Sequence, residues 1–337
     1  MQLLGHLLDT SQRNVGVLGR GARAGFAAGE LIRLRRGFYF PTSLWLGARP
    51  DERFQIALSA YMQANPESVF CSETALFVRG IPTVKAPPAI DVVATSNGRL
   101  GVAPPTFQVR GGSPAAIRAR RFPPPPVRRH LHRDLDAEEV GGYRSVPLVE
   151  ALIEVLASGK FPRALTVADG VLRSSPSTPL LERPEVRKAI DRLTAASQRR
   201  RAELIAALAR PGAESPGESV SRALMHLFGF PEPLLQKEHF DPLGFIGRTD
   251  FFWDMARRPV GEFDGWGKYF RNELTGGEDP GTIIRREKRR ENRLLALGHQ
   301  VLRWDWADLE QPIRLRTKLL EAGLRPRTRR LVVEKIA

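Results

Sequence analysis

The spacing of apolar and polar positions divides the chain into helix-like and strand-like stretches. Ala22 to Leu31 has helical spacing, weakened by Gly25 and Gly29. Leu31-Ile32-Arg33-Leu34-Arg35-Arg36-Gly37-Phe38-Tyr39-Phe40 then mixes apolar and basic residues around a glycine. That pattern predicts a two-stranded wing whose arginines face solvent or phosphate. Asp51 to Gln63 and Ser72 to Val78 predict helices, the second stopped by Gly80-Ile81-Pro82. Ala89 to Ala94 predicts a strand ending at Asn97-Gly98. Pro147 to Leu156 and Pro162 to Leu172 are two amphipathic helices parted by Gly159, expected to pack a core. Pro184 to Leu208 reads as one basic helix carrying Leu193, Leu204 and Leu208.

In the last third, Ser215-Pro216-Gly217-Glu218 opens a helix with Leu224, Leu227 and Phe228 on its core face and Gly229 at its end. Leu234 to Phe240, Arg248 to Trp253 and Val260 to Gly265 predict three strands, with turns at Asp241 to Gly244 and Met255 to Pro259. Thr282 to Leu297 predicts a basic helix with Ile284, Leu294, Leu295 and Leu297 inward. His299 to Trp304 predicts a fourth strand, and about Ala307 to Ala322 a closing helix. Helix, three strands, helix, strand, helix is the order of a mixed sheet flanked by helices.

Charge narrows the partner. The 337 residues hold 52 Lys and Arg against 37 Asp and Glu, a net charge of +15 that suits a polyanion, nucleic acid above all. No apolar run approaches the roughly 20 residues of a spanning helix, so no membrane partner is expected. A charged start followed by a long apolar core is missing at Met1-Gln2-Leu3-Leu4, which predicts a cytoplasmic location. Cys71 is the only cysteine, which rules out an internal disulfide and leads us to expect no Cys-based zinc site. Gly101 to Arg133 contains seven arginines, no acid, and the run Pro123 to Pro126. It reads either as an extended arm along a nucleic-acid backbone or as a solvated loop and strand edge. His130 and His132 lie among those arginines and are expected at the surface.

The candidate chemistry is acidic. On a strand ending at Gly265, Glu262 and Asp264 share a face and Phe263 points to a core. Asp250 on the hairpin partner brings a third carboxylate, with Lys268 close behind. Such a set needs a compensating cation, and Mg²⁺ or Mn²⁺ takes oxygen ligands of this kind. The alternative is an ordinary hairpin with Asp250 and Glu262 facing solvent. Glu218 has two roles open to it, capping its helix with Ser215 or joining the metal site. Arg222, one turn on, either faces a phosphate or pairs with Glu218.

Asp250-Phe251-Phe252-Trp253, Gly261-Glu262-Phe263-Asp264-Gly265, the basic helix, and Gly298-His299-Gln300-Val301-Leu302-Arg303-Trp304 together resemble the very-short-patch-repair-like branch of the PD-(D/E)xK nuclease superfamily. Residues 29–39 resemble the basic wing of the winged helix-turn-helix in AbiEi-type antitoxin proteins, and Ser72 to Pro82 is loosely similar to that group's middle region. The implied architecture is a multidomain α/β chain. It has a winged helix at 1–48, an α+β region at 49–175, a linker and basic helix at 176–212, and a restriction-endonuclease-like mixed sheet flanked by helices at 213–325. The resemblance implies Asp250, Glu262 and Asp264 as metal ligands, with Glu218 and Lys268 completing the catalytic set. Asp264 departs from the pattern, which places a lysine there; Lys268 or Lys288 is left to supply the cation. Arg33, Arg35, Arg36, Arg285, Lys288 and Arg289 are the expected phosphate contacts. The implied function is Mg²⁺-dependent cleavage of DNA. The competing expectation is an antitoxin-like DNA-binding regulator with an inactive nuclease fold, and RNA as substrate ranks third. A partner protein of a toxin–antitoxin or defence system belongs to the same expectation.

Overall fold

The structure, a computed structural model, describes residues 2–11, 16–132, 136–172, 180–265 and 279–327. Lys268, Arg133, the Ser/Pro linker at 174–179 and the Gly276-Gly277 loop lie outside the described residues. Two units divide the chain, residues 1–154 and 155–337.

In chain order the first unit runs β1 (Leu8–Asp9), α1 (Gly16–Ala28), β2 (Leu31–Arg35), β3 (Phe38–Pro41), α2 (Thr42–Gly47), α3 (Pro50–Ala64), α4 (Ser72–Val78), β4 (Ile90–Ala94), β5 (Gly101–Ala103), β6 (Gln108–Val109), α5 (Pro114–Ala119), β7 (Val127–Leu131), β8 (Glu138–Val140) and β9 (Tyr143–Ser145). The expected wing is the β2–β3 hairpin, within a sheet of order β1-β3-β2-β6. Gly37 makes its turn at φ 85°, where a Cβ would also meet the Ser11 backbone at 3.1 Å. Alternation along β2 buries Ile32 and Leu34 with Phe38, Phe40 and Trp45.

The arginine-rich stretch is not a free arm. It supplies β5, β6, α5 and β7, and β7 is the middle strand of a second sheet, parallel to β4 and antiparallel to β5. One of its arginines has an acid there: Arg128 Nε donates to the buried Asp91 at 2.6 Å. His130 and His132 are likewise half-buried against acids rather than surface residues. The acids that draw them in lie 39 positions upstream and 22 downstream, at Asp91 and Glu154.

Helix α6 (Leu148–Ser158) crosses the division between the units. The second unit continues with α7 (Phe161–Leu172), α8 (Arg183–Asp191), α9 (Ala196–Leu208), α10 (Pro216–Leu227), β10 (Leu234–Asp241), β11 (Gly244–Phe252), β12 (Pro259–Asp264), α11 (Pro280–Ala296), β13 (Gln300–Asp305), α12 (Trp306–Glu310) and α13 (Pro312–Glu321). The sheet order is β10-β11-β12-β13, with β12 and β13 parallel and the other neighbours antiparallel. This is the mixed α/β arrangement that the order of elements called for.

Three details differ from expectation. The basic helix at 184–208 breaks into α8 and α9, which pack on each other and bury Val186, Ala189 and Ile190 together with Ala202 and Ile205. The closing helix breaks at Gln311, because Pro312 cannot donate to the preceding turn and instead opens α13. Among the hydrophobic residues expected to face inward on α11, Leu294 is buried while Ile284 and Leu295 are exposed. The sheet-facing side of that helix is used by Glu287, Arg290 and Arg293 for ion pairs.

Helix α7 packs against α10 through a buried ion pair. Arg222 Nη1 donates to both oxygens of Asp169, at 3.0 and 2.8 Å, so Arg222 pairs with neither Glu218 nor a phosphate. Above Arg222 on the same helix, Gly217 is in direct contact with the Phe263 ring: an added Cβ would lie 1.9 Å from it. No helix among the described residues is long and apolar enough to cross a membrane.

Candidate functional site

A bulge sets the register of the β10–β11 hairpin. Asp241 pairs with Gly244 and Phe240 with Phe245, but His239 pairs with Gly247, so one residue of β11 is skipped. Leu235 then pairs with Phe251 and Lys237 with Thr249, which leaves Gln236 facing Asp250. Gln236 has φ 52°, a left-handed conformation that costs energy in a residue other than glycine. Its amide is thereby able to bridge two acids: Nε2 donates to Glu218 Oε2 at 2.9 Å and reaches Asp250 Oδ1 at 3.4 Å.

Glu218 fills the capping role, and its position also bears on the metal role. Ser215 Oγ donates to Glu218 Oε1 at 2.7 Å while accepting from the Glu218 N–H, and the Glu214 N–H donates to Oε2 at 2.8 Å. The side chain is a cap that also faces Asp250. Burial, and then the nearby Asp250 charge, push the Glu218 carboxyl above its ordinary value.

Beyond the pair Phe251–Gly261, Asp250 and Glu262 come opposite one another, and there the two strands part. Asp250 Oδ2 fills the gap by accepting the Phe263 N–H at 2.8 Å. Glu262 turns the other way, toward α11 and β13. Arg290 donates to its Oε1, and Arg303 Nη2 lies 3.2 Å from Oε2. The same Arg303 holds Glu287 at 2.6 Å and Glu291 at 3.2 Å, and lies 3.9 Å from Asp264. Burial raises the Glu262 carboxyl against the pull of Arg290. For Glu287 the balance is reversed: burial is outweighed by Arg303 and Arg290, and its carboxyl falls below the ordinary range.

The expected metal set is therefore split. Glu218 and Asp250 converge on one amide, while Glu262 and Asp264 lie within reach of Arg303. No three of these acids bring ligand atoms within 4.8 Å of one another. The Glu218–Asp250 pair still fits Mg²⁺, which takes one or two protein carboxylates and completes its shell with water and phosphate oxygens. In the arrangement described, Glu262 does not fit, because its oxygens are already held by two guanidinium groups. Lys288 is exposed on α11, and among the described residues the cations beside Glu262 are Arg290 and Arg303.

The expected phosphate contacts also divide. Arg285 and Arg289 line a groove of about 610 Å³ along α11, with Arg286, Arg290 and Arg293, whereas Lys288 is not part of its lining. Gly247 admits Arg290 to the sheet: an added Cβ would lie 2.6 Å from Arg290 Nε. On the wing, Arg36 is exposed at the turn. Arg33 is half-buried, 5.6 Å from the Phe26 ring centroid, and Arg35 lies 4.5 Å over Tyr61. Burial lowers the Arg35 pKa. Both arginines act as packing residues as well as charges, because β2 lies inside its sheet and neighbouring elements cover its polar face.

Sequence reasoning missed Gln236, Arg290, Arg303 and Glu287. The Asp241 to Gly244 turn would have located Gln236 only with knowledge of the bulge, since an unbroken count places Thr249 opposite it. Arg303 was findable, because a parallel strand after the basic helix sets it beside Glu262. Compared with known proteins, the chain matches no family model, no curated protein and no solved structure.

Proposed function

We propose that the second unit is a Mg²⁺-dependent endonuclease acting on DNA. The observation that carries this reading is the convergence of Glu218 from α10 and Asp250 from β11 on the strained Gln236 amide, where the strands of a mixed sheet part. Two like charges gathered with a strained residue between them are costly for stability alone, and such strain collects at functional sites. Glu218 and Asp250 hold the cation in this account, and Gln236 orients both. A bound Mg²⁺ supplies activation of water and stabilisation of charge on a phosphoryl oxygen. The α11 groove binds the DNA backbone through Arg285 and Arg289. Phosphates entering it compete with Glu262 for Arg290, freeing Glu262 to turn toward Asp250. Asp264, held less closely, is the remaining acid on that face.

A second reading has its own support. The double guanidinium clamp on Glu262 suits an antitoxin-like regulator that binds DNA without cutting it. Supercoiled plasmid incubated with Mg²⁺, Mn²⁺ or chelator separates the two. The nuclease account expects metal-dependent nicking or linearisation that Glu262→Ala abolishes. No cutting with either metal, together with salt-sensitive DNA binding, supports the regulator instead.

A further inference from the structure

The first unit gathers a separate set of metal-type donors, sharing no residue with the acids of the second. Cys71 lies fully buried at the start of α4, its N–H donating to the Asp91 carbonyl at 3.1 Å. His130 is on β7, and His132 follows directly after it with its N–H bonded to Ala94 O, so the two rings belong to one face. Glu154 comes from α6. One donor atom each from Cys71, His132 and Glu154 lie within 4.8 Å of one another. His132 Nε2 is 2.5 Å from Glu154 Oε1, and His130 Nδ1 is 4.0 Å from Glu154 Oε2.

Asp91 gives an independent sign. It is wholly buried, and its Oδ1 holds His130 Nε2 at 2.8 Å and Arg128 Nε at 2.6 Å. Its Oδ2 is buried and has no hydrogen-bond partner among the described residues. A buried carboxylate oxygen left in this state is costly, and a nearby dication offsets that cost.

We propose that this cluster binds one zinc-type divalent cation through Cys71 Sγ, His132 Nε2 and a Glu154 oxygen, with His130 Nδ1 as the fourth donor and Asp91 orienting that ring. Thiolate, imidazole and carboxylate are the donors zinc takes, at bond lengths of about 2.0–2.3 Å. To share one ion, the hydrogen-bonded His132 and Glu154 atoms move apart and His130 Nδ1, which lies outside the three-donor group, moves in. Mg²⁺ is a poor occupant, because hard cations do not choose thiolate. Asp91 on the far nitrogen of His130 is the carboxylate–histidine–metal arrangement that fixes a ligating ring. A catalytic thiol is the weaker explanation. Burial, and then Glu154 and Asp91, hold the Cys71 thiol in its protonated form, whereas a nucleophile needs the thiolate. A coordinated dication removes that proton. The side chains of His130, His132 and Glu154 keep 23, 18 and 21% exposure, enough to admit an ion from solvent. The ligands join the start of α4, the end of β7 and α6, so binding also stabilises the first unit.

The test uses the full chain, stripped with chelator and titrated with Co²⁺ as the spectroscopic probe, then Zn²⁺. One equivalent of Co²⁺ is expected to give thiolate-to-cobalt charge-transfer absorption and the strong visible bands of a tetrahedral site, displaced by Zn²⁺ and untouched by Mg²⁺. Cys71→Ser removes the charge-transfer absorption. Asp91→Asn and His130→Gln keep the thiolate and weaken binding roughly 10–100-fold. Circular dichroism checks that each variant folds, and because the His130→Gln spectrum retains the thiolate signal, the proposal does not depend on the Cys71 variant folding. Absence of the charge-transfer absorption in the wild-type protein overturns the proposal, as does a cobalt spectrum that Cys71→Ser leaves unchanged.

Discussion

Asp169→Ala tests whether the ion pair between α7 and α10 sets the geometry of the acid site. Asp169 accepts Arg222 Nη1 on both oxygens, Ser219 Oγ at 2.7 Å and the Arg210 N–H at 2.8 Å. Its side chain is 1% exposed and that of Arg222 is 3% exposed. Removing the carboxylate leaves a buried guanidinium with Leu208 O at 2.5 Å and Glu232 at 3.4 Å as its remaining acceptors. Breaking one side of such a pair costs about 3–5 kcal/mol, because the surviving charge has lost its compensation. With a urea m-value of about 2 kcal/mol/M, the unfolding midpoint of the second unit moves down by about 1.5–2.5 M. Tryptophan fluorescence follows that transition, since Trp253 and Trp304 are buried in this unit. The double variant Asp169→Leu/Arg222→Met removes both charges and is expected within about 2 kcal/mol of wild type, since an apolar pair of similar volume replaces the ion pair. A single variant that loses less than about 1 kcal/mol, or a double variant that loses as much as the two singles added, refutes the reasoning. Glu218 lies one turn before Arg222 on α10, so cleavage activity is expected to fall with Asp169→Ala even below the unfolding transition.

Further outcomes follow from the same structure. Glu218→Gln replaces a carboxylate that accepts on both oxygens, and that burial and then Asp250 raise, with an amide that accepts on one. The variant's stability relative to wild type is expected to be highest at pH 7 and to fall as the pH falls toward 4.5, where the wild-type group becomes protonated in both states, as thermal melts across that range would show. His239, lowered to about 4 by burial and then by His299, refuses the proton that the unfolded chain takes up near pH 6.5. Stability should therefore fall by roughly 2 kcal/mol as pH drops from 6.5 to 4, and chemical denaturation of His239→Gln should show a flatter profile across that window. Gly217→Ala drives a methyl into Phe263 and is expected to cost about 1–3 kcal/mol by urea unfolding. Arg285→Ala and Arg289→Ala should each flatten the log–log salt dependence of DNA binding by about 0.9, with no change from Arg35→Ala if its packing on Tyr61 is its main role.

The sequence made the second unit's elements legible because its strands alternate and its helices have marked ends. Ser215-Pro216 opens α10 and Gly229 follows it; Gly265 lies just past the end of β12. The bulge in β11 left one sign in the sequence, Gly247 next to the skipped Ile246, but a lone strand glycine does not say which residue is skipped. That single slip hid Gln236 from Asp250. The arginine-rich stretch stays open between an arm and a loop with a strand edge for a related reason: charge counts describe a segment in isolation, while Arg128 finds its acid 37 positions upstream on a parallel strand. His130 and His132 read as surface residues on the same ground, whereas a parallel pairing with β4 brings the nearer ring to Asp91. In sequence Arg222 is open to a phosphate or to its neighbour Glu218, but a buried charge pairs where burial is matched, and Asp169 on α7 is the buried acid. Within β12, alternation correctly placed Glu262 and Asp264 on one face; it could not show that β13 and α11 bring arginines to them.

The central claim is that Asp250 and Glu218 form a metal site for cutting DNA, and one paired measurement on Asp250→Asn tests it most directly. Cleavage of supercoiled plasmid in Mg²⁺ and affinity for the same DNA in chelator are measured side by side on wild type and variant at one salt concentration. The account predicts metal-dependent cutting by wild type, loss of at least roughly 100-fold of that rate in Asp250→Asn, and unchanged affinity in chelator, since the carboxylate acts through the cation rather than on the DNA. Equal cutting by both proteins, or no cutting by wild type while both bind DNA equally, contradicts it.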